Sequence, residues 1–186
     1  MRKILVIVSV VLLFVIGVVV FYPHYKMWKD RQITSSLESK VIPFIQENEI
    51  TYFVDDICRQ IKYGMVEAAS PEGCAYIENQ TDETKKDIPD FSTVDEKIFD
   101  ELEDLLSNAT QDKFESIELE YPLFYRSEHA SLPQTPIGLA FDEHCTFCRV
   151  RYVYWPNYEK LPPNIEGEIR YTPIDKNWYR VDQDWN

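Results

Sequence analysis

The sequence predicts an α+β protein behind an N-terminal transmembrane helix, with two or three amphipathic helices packed on one face of a four- to five-stranded antiparallel meander. Three observations lead there. Residues Ile4 to Tyr22 form an uncharged, strongly apolar run, apolar residues then recur at helical spacing as far as Leu106, and from Phe114 the period changes to two.

The apolar run comes first. Nineteen residues at about 1.5 Å each make a helix of roughly 28 Å, close to the ~30 Å thickness of a bilayer's hydrocarbon core. It is longer than a signal-peptide core and no small-x-small cleavage site follows it, so the reading is a retained anchor. Tyr22, Tyr25 and Trp28 fall where an interfacial aromatic belt is expected. The resulting division is a basic tail (1–3), a membrane span (4–22), a juxtamembrane or stalk helix (23–47) and one domain (48–186). Basic residues on the two flanks nearly balance, so orientation is read from cysteine usage. All four Cys lie beyond the run, and an even number fits disulfides in an oxidising compartment. The expected location is the cell membrane, single-pass, with the soluble domain on the extracytoplasmic side.

Charge narrows the partners. The first 31 residues hold five Lys/Arg and one Asp, which leaves 14 basic against 31 acidic side chains in the remainder. A domain of that sign repels nucleic acid and lacks the basic stripe that phosphate binding requires. The partners expected are therefore the membrane, through residues 4–22, and another protein.

Along the chain, Ile33, Leu37, Val41 and Phe44 or Ile45 share a helical stripe that Pro43 is expected to kink or end. A second amphipathic helix is read from Asn48 to about Lys62, with Ile50, Phe53, Val54, Ile57 and Ile61 on one face and Gly64 as its stop. Cys58 lies beside that stripe, and Cys74 follows the turn Ser70-Pro71-Glu72-Gly73. A Cys58 to Cys74 bridge would add about 3 kcal/mol by restricting the unfolded chain. Residues 78 to 92 read as a polar surface loop. Thr93 with Glu96 gives a capping-box pattern for a helix from Val94 to about Ser107, its apolar side being Val94, Ile98, Leu102 and Leu105 or Leu106. Strands are read over Phe114 to Tyr121, Ile137 to Asp142, Phe147 to Trp155, Glu166 to Thr172 and Trp178 to Asp182, joined in sequence order.

Two constellations offer chemistry. Asp142-Glu143-His144-Cys145-Thr146-Phe147-Cys148 contains a C-x-x-C pair preceded by His. A strand follows the pair, where thiol oxidoreductases place a helix, so a structural Cys145 to Cys148 bridge is the plainer reading. A redox pair, or a zinc site built from Asp142, His144, Cys145 and Cys148, is the alternative. The second constellation places Arg149, Arg151, Arg170 and Arg180 on one sheet face with Trp155 and Trp178, a surface for a partner's carboxylates. Its plainer reading is a cross-strand ion-pair ladder with Glu118, Glu120, Glu168 and Asp182. No hydrolase, metalloprotease or phosphate-loop motif occurs, so no catalytic residue and no cofactor is assigned. The function expected is a membrane-anchored, extracytoplasmic interaction or assembly module; the alternative is a tethered thiol-redox or zinc protein using His144, Cys145 and Cys148.

Overall fold

The computed structural model describes residues 21–55, 59–70, 88–110, 114–120, 138–143 and 148–184. Helix α1 occupies residues 21–47 and helix α2 Thr93–Ala109. The strands are β1 (Ile50–Asp55), β2 (Arg59–Tyr63), β3 (Val66–Ala69), β4 (Phe114–Glu120), β5 (Gly138–Glu143), β6 (Cys148–Tyr154), β7 (Ile169–Pro173) and β8 (Trp178–Asp184). They form one eight-stranded sheet in the order β3-β2-β1-β4-β5-β6-β8-β7, every neighbouring pair antiparallel.

This corrects the expected architecture. Eight strands replace four or five, because the stretch read as a second helix from Asn48 to Lys62 is the β1–β2 hairpin. A register irregularity between Ile50 and Tyr52 puts Ile50 and Phe53 on the same side, and both are buried. An extra residue in a strand thus imitates the three-residue step of a helix. The same device recurs in β4, where Phe114 and Ile117 both reach the core across an irregularity at Phe114/Ser116.

The terminal meander is also corrected. β8 lies between β6 and β7, while residues 155–168 carry the chain to the outer edge. Burial explains the order: β8 has apolar residues on both faces, with Trp178, Tyr179 and Val181 all buried, whereas β7 buries only Tyr171. Pro173, which has no N–H for a ladder, fits an edge strand.

Among the described residues no helix is long and apolar enough to cross a membrane, which removes the transmembrane helix from the fold described here. Residues 4–20 of the expected span lie outside the described residues. No disulfide is seen between described residues either. Cys58, Cys74 and Cys145 lie outside them, and Cys148 is not a free thiol.

α1 continues through Pro43. Residues Leu37–Val41 form a π turn in which the Ile42 N–H donates to Leu37 O, and Pro43 sits at the start of the α segment that follows. The wider turn relieves the clash that a proline ring makes with a preceding helical carbonyl. α2 is capped one residue earlier than expected: Ser92 Oγ accepts from the Asp95 N–H, and Asp95 Oδ2 accepts from the Ser92 N–H at 2.7 Å. Its buried face is accordingly Asp95, Phe99, Leu102 and Leu106, and Val94 is exposed.

Both helices cover one face of the sheet. Leu37, Val41 and Ile45 from α1 and Phe99, Leu102 and Leu106 from α2 join a core with Ile61, Phe53, Ile117, Phe141 and Tyr152. Those five sheet residues are direct cross-strand neighbours along one row, which continues through Arg180 of β8. The other face has a smaller core of Ala140, Val153, Tyr171, Tyr179 and Val181, covered by Trp155, Tyr158 and Leu161.

Candidate functional site

The strand register decides where the predicted arginines go, and it divides them. Arg151 pairs across with Val181 and Asp142, so Arg149 and Arg151 lie on the sheet face away from the helices. Arg180 lies opposite Tyr152, and Arg170 opposite Asp182, which puts both on the helix side. The single arginine face is therefore corrected. The two tryptophans divide as well: Trp155 packs on the smaller core, while Trp178 is fully buried against Phe141 and Tyr154. Trp178 Nε1 donates to Glu38 Oε2 of α1 at 3.0 Å, which explains how an indole is tolerated there.

Three of the four arginines are held in internal ion pairs. On the open face, Arg149 donates to both oxygens of Asp142, at 3.2 and 2.6 Å, and Arg151 Nε reaches Asp142 Oδ1 at 2.7 Å. Arg151 Nη1 lies 3.0 Å from Glu120, and Glu118 lies 3.7 Å from both arginines. Three carboxylates thus share two guanidinium groups. Glu120 is only 4 % exposed. Burial pushes its carboxyl above the usual range while Arg151 pulls the other way.

On the helix side, Arg180 donates to Asp182 through Nε at 2.9 Å and to buried Asp30 through Nη1 at 3.1 Å. Tyr152 OH donates to the same Asp30 oxygen at 2.8 Å, and Lys26 Nζ lies 3.7 Å from Asp182. The first helix is thereby tied to the last strand by charge-assisted bonds, with Asp30 buried among them. Arg170 is exposed and has no ion pair among the described residues.

α1 carries the other candidate. Its packed stripe begins at Asp30 and runs through Ile33, Thr34, Leu37, Val41, Ile42 and Ile45. The preceding turns lack that cover. Phe21 is 71 % exposed, Tyr22 63 %, Tyr25 60 % and Trp28 58 %, with Met27 also exposed. Large apolar side chains this exposed over eight residues mark an interaction surface more often than chance. Tyr22, Tyr25 and Trp28 are legible in the sequence as aromatic anchors, whereas the Asp30–Arg180 tie that holds the helix leaves no signal there.

The β7 edge is blocked to an added strand, and the β3 edge is blocked at Ala69. On β7, the Tyr171 N–H donates to Asn164 Oδ1 at 2.7 Å, Ile165 and Ile169 exchange backbone hydrogen bonds, and Pro173 has no N–H. On β3, the Ala69 N–H donates to Pro89 O and Ala69 O accepts from the Phe91 N–H. Such blocking is how native edges avoid pairing with other chains.

Of the proposed thiol or metal set, His144 and Cys145 lie outside the described residues. Asp142 spends both oxygens on arginines, and Ser116 Oγ also donates to it at 3.0 Å. Among the described residues no group of three His, Cys, Asp or Glu is arranged to hold a metal ion. Comparison with known proteins adds nothing to this geometry: no family model, no curated protein and no solved structure matches the chain.

Proposed function

We propose that this chain is a protein-interaction or assembly module whose docking element is the exposed aromatic end of α1. The observation that carries the reading is the 58 to 71 % exposure of Phe21, Tyr22, Tyr25 and Trp28, next to a helix segment whose inner face is packed from Asp30 onward. Two further observations support it. The Asp30–Arg180 and Lys26–Asp182 pairs fix the helix direction, so the aromatic end is presented on a rigid element and less ordering entropy is lost on binding. The blocked β7 edge, and the block at Ala69 on β3, disfavour strand addition and favour a side-chain surface.

Tyr and Trp are the residues that most often dominate binding energy at protein interfaces. The test is the Tyr25→Ser/Trp28→Ser double variant of the full chain, compared with wild type by sedimentation of the native material from its own cells. The variant is expected to fold normally and to leave the larger assembly in which the wild type sediments. Identical sedimentation of the two proteins would overturn the reading.

A further inference from the structure

A cleft of about 520 Å³ lies where β6, β7 and β8 meet the turn 164–168, and Arg149, Arg170, Arg180, Glu166, Glu168 and Gln183 are among its lining residues. That volume is within the usual range of ligand sites. What decides its chemistry is which charges remain uncommitted. Arg180 spends every nitrogen on Asp182, Asp30 or Tyr152. Arg149 spends Nε and Nη2 on Asp142 and lies on the opposite face of the sheet from Arg170. Arg170 spends nothing, because its cross-strand neighbour Asp182 already holds Arg180 and faces Lys26. Glu166 and Glu168, exposed on the turn around Gly167, have no ion pair among the described residues.

We propose that this cleft is a second docking site, separate from the α1 surface, for a mixed-charge peptide segment of a partner protein. A carboxylate of the segment accepts hydrogen bonds from Arg170, and a neighbouring Lys or Arg side chain meets Glu166 and Glu168. Complementarity selects this partner over the simpler ones. A polyanion meets two glutamates and a chain of net charge −13, while a polycation is repelled by Arg170 and leaves it unpaired. Both charges on the ligand satisfy both charges in the cleft. The contacts lie at a solvated rim, where one exposed ion pair changes affinity by up to about fivefold and a charge reversal by about tenfold.

The experiment titrates the full chain with fluorescent octapeptides, alternating Glu-Lys, all-Glu or all-Lys, and reads anisotropy at physiological salt. The alternating peptide is expected to bind wild type, and Arg170→Glu to weaken it about tenfold. The Glu166→Gln/Glu168→Gln variant is expected to gain binding of the all-Glu peptide. Tyr25→Ser/Trp28→Ser is expected to bind the alternating peptide like wild type, so this site and the α1 surface fail separately. The proposal is overturned if no peptide binds, if the all-Lys peptide binds as well as the alternating one, or if Arg170→Glu changes nothing. All of these residues are exposed, and unchanged circular dichroism identifies folded variants.

Discussion

Asp30 Oδ1 stands 3.1 Å from Arg180 Nη1 across 150 positions of sequence. The contact joins the first described helix to the last strand, and the Tyr152 hydroxyl bonds the same carboxylate oxygen from β6. α1 is therefore fixed to β6 and β8 by a buried charge, while the aromatic turns before it stay uncovered.

Removing that carboxylate should be costly. Asp30→Ala leaves the Tyr152 hydroxyl without its acceptor and Arg180 with Asp182 alone, in an interface where Asp30 is 3 % exposed. Breaking a buried pair at one partner typically costs 3–5 kcal/mol, and the surviving Asp182 places the expected loss at about 3 kcal/mol. Urea denaturation followed by circular dichroism checks it. A loss near zero would show that the helix is held by apolar packing alone.

At the other helix the effect depends on pH. Burial raises the Asp95 carboxyl, but hydrogen bonds from Ser92 and Tyr63 outweigh it and hold the group below its usual range. A folded-state value below the unfolded one stabilises above the unfolded pKa, and that stability disappears as pH falls through the folded value. Asp95→Asn should therefore cost about 1 kcal/mol at neutral pH, the usual worth of a cap. The penalty should shrink as the solution is acidified below pH ~4, near the ordinary Asp range. The same bond pushes the Tyr63 hydroxyl up to about 12, so the variant should also lower the Tyr63 titration seen by ultraviolet absorbance.

The division of the arginines has its own consequence. Arg151 is half-buried among Asp142, Glu118 and Glu120, and Arg170 is exposed without an ion pair among the described residues. Arg151→Ala should cost about 3 kcal/mol, because it takes the close partner from buried Glu120 while Asp142 keeps Arg149. Arg170→Ala should stay within about 0.5 kcal/mol, as surface substitutions usually do. Equal costs in thermal unfolding would mean that the four residues share one environment after all.

The sequence was legible where strands alternate without interruption. Ile117 and Leu119 alternate with Ser116, Glu118 and Glu120, and β4 lies where that pattern places it. It was illegible where a bulge restored a three-residue step, so the hairpin holding Ile50, Phe53 and Ile61 read as a helix. Face assignment failed at the end of the chain for a different reason. Within each strand the period of two held, but placing Arg149 and Arg151 beside Arg170 and Arg180 needed the register between strands, which only the pairing of Arg151 with Val181 supplies. Trp178 shows the same limit: an isolated indole reads as surface, whereas its cover comes from Glu38 and Phe141, both far away in sequence. The Asn48–Lys62 reading also hid the edge on which β3 closes the sheet.

The most direct test of docking through α1 is site-specific photo-crosslinking of the full chain in its own cells, with a photoreactive phenylalanine at Tyr25 and, as control, at exposed Lys176. A discrete protein adduct at position 25 and none at position 176 is the predicted result. Lipid adducts alone at position 25, or the same protein adduct at both positions, would contradict the account.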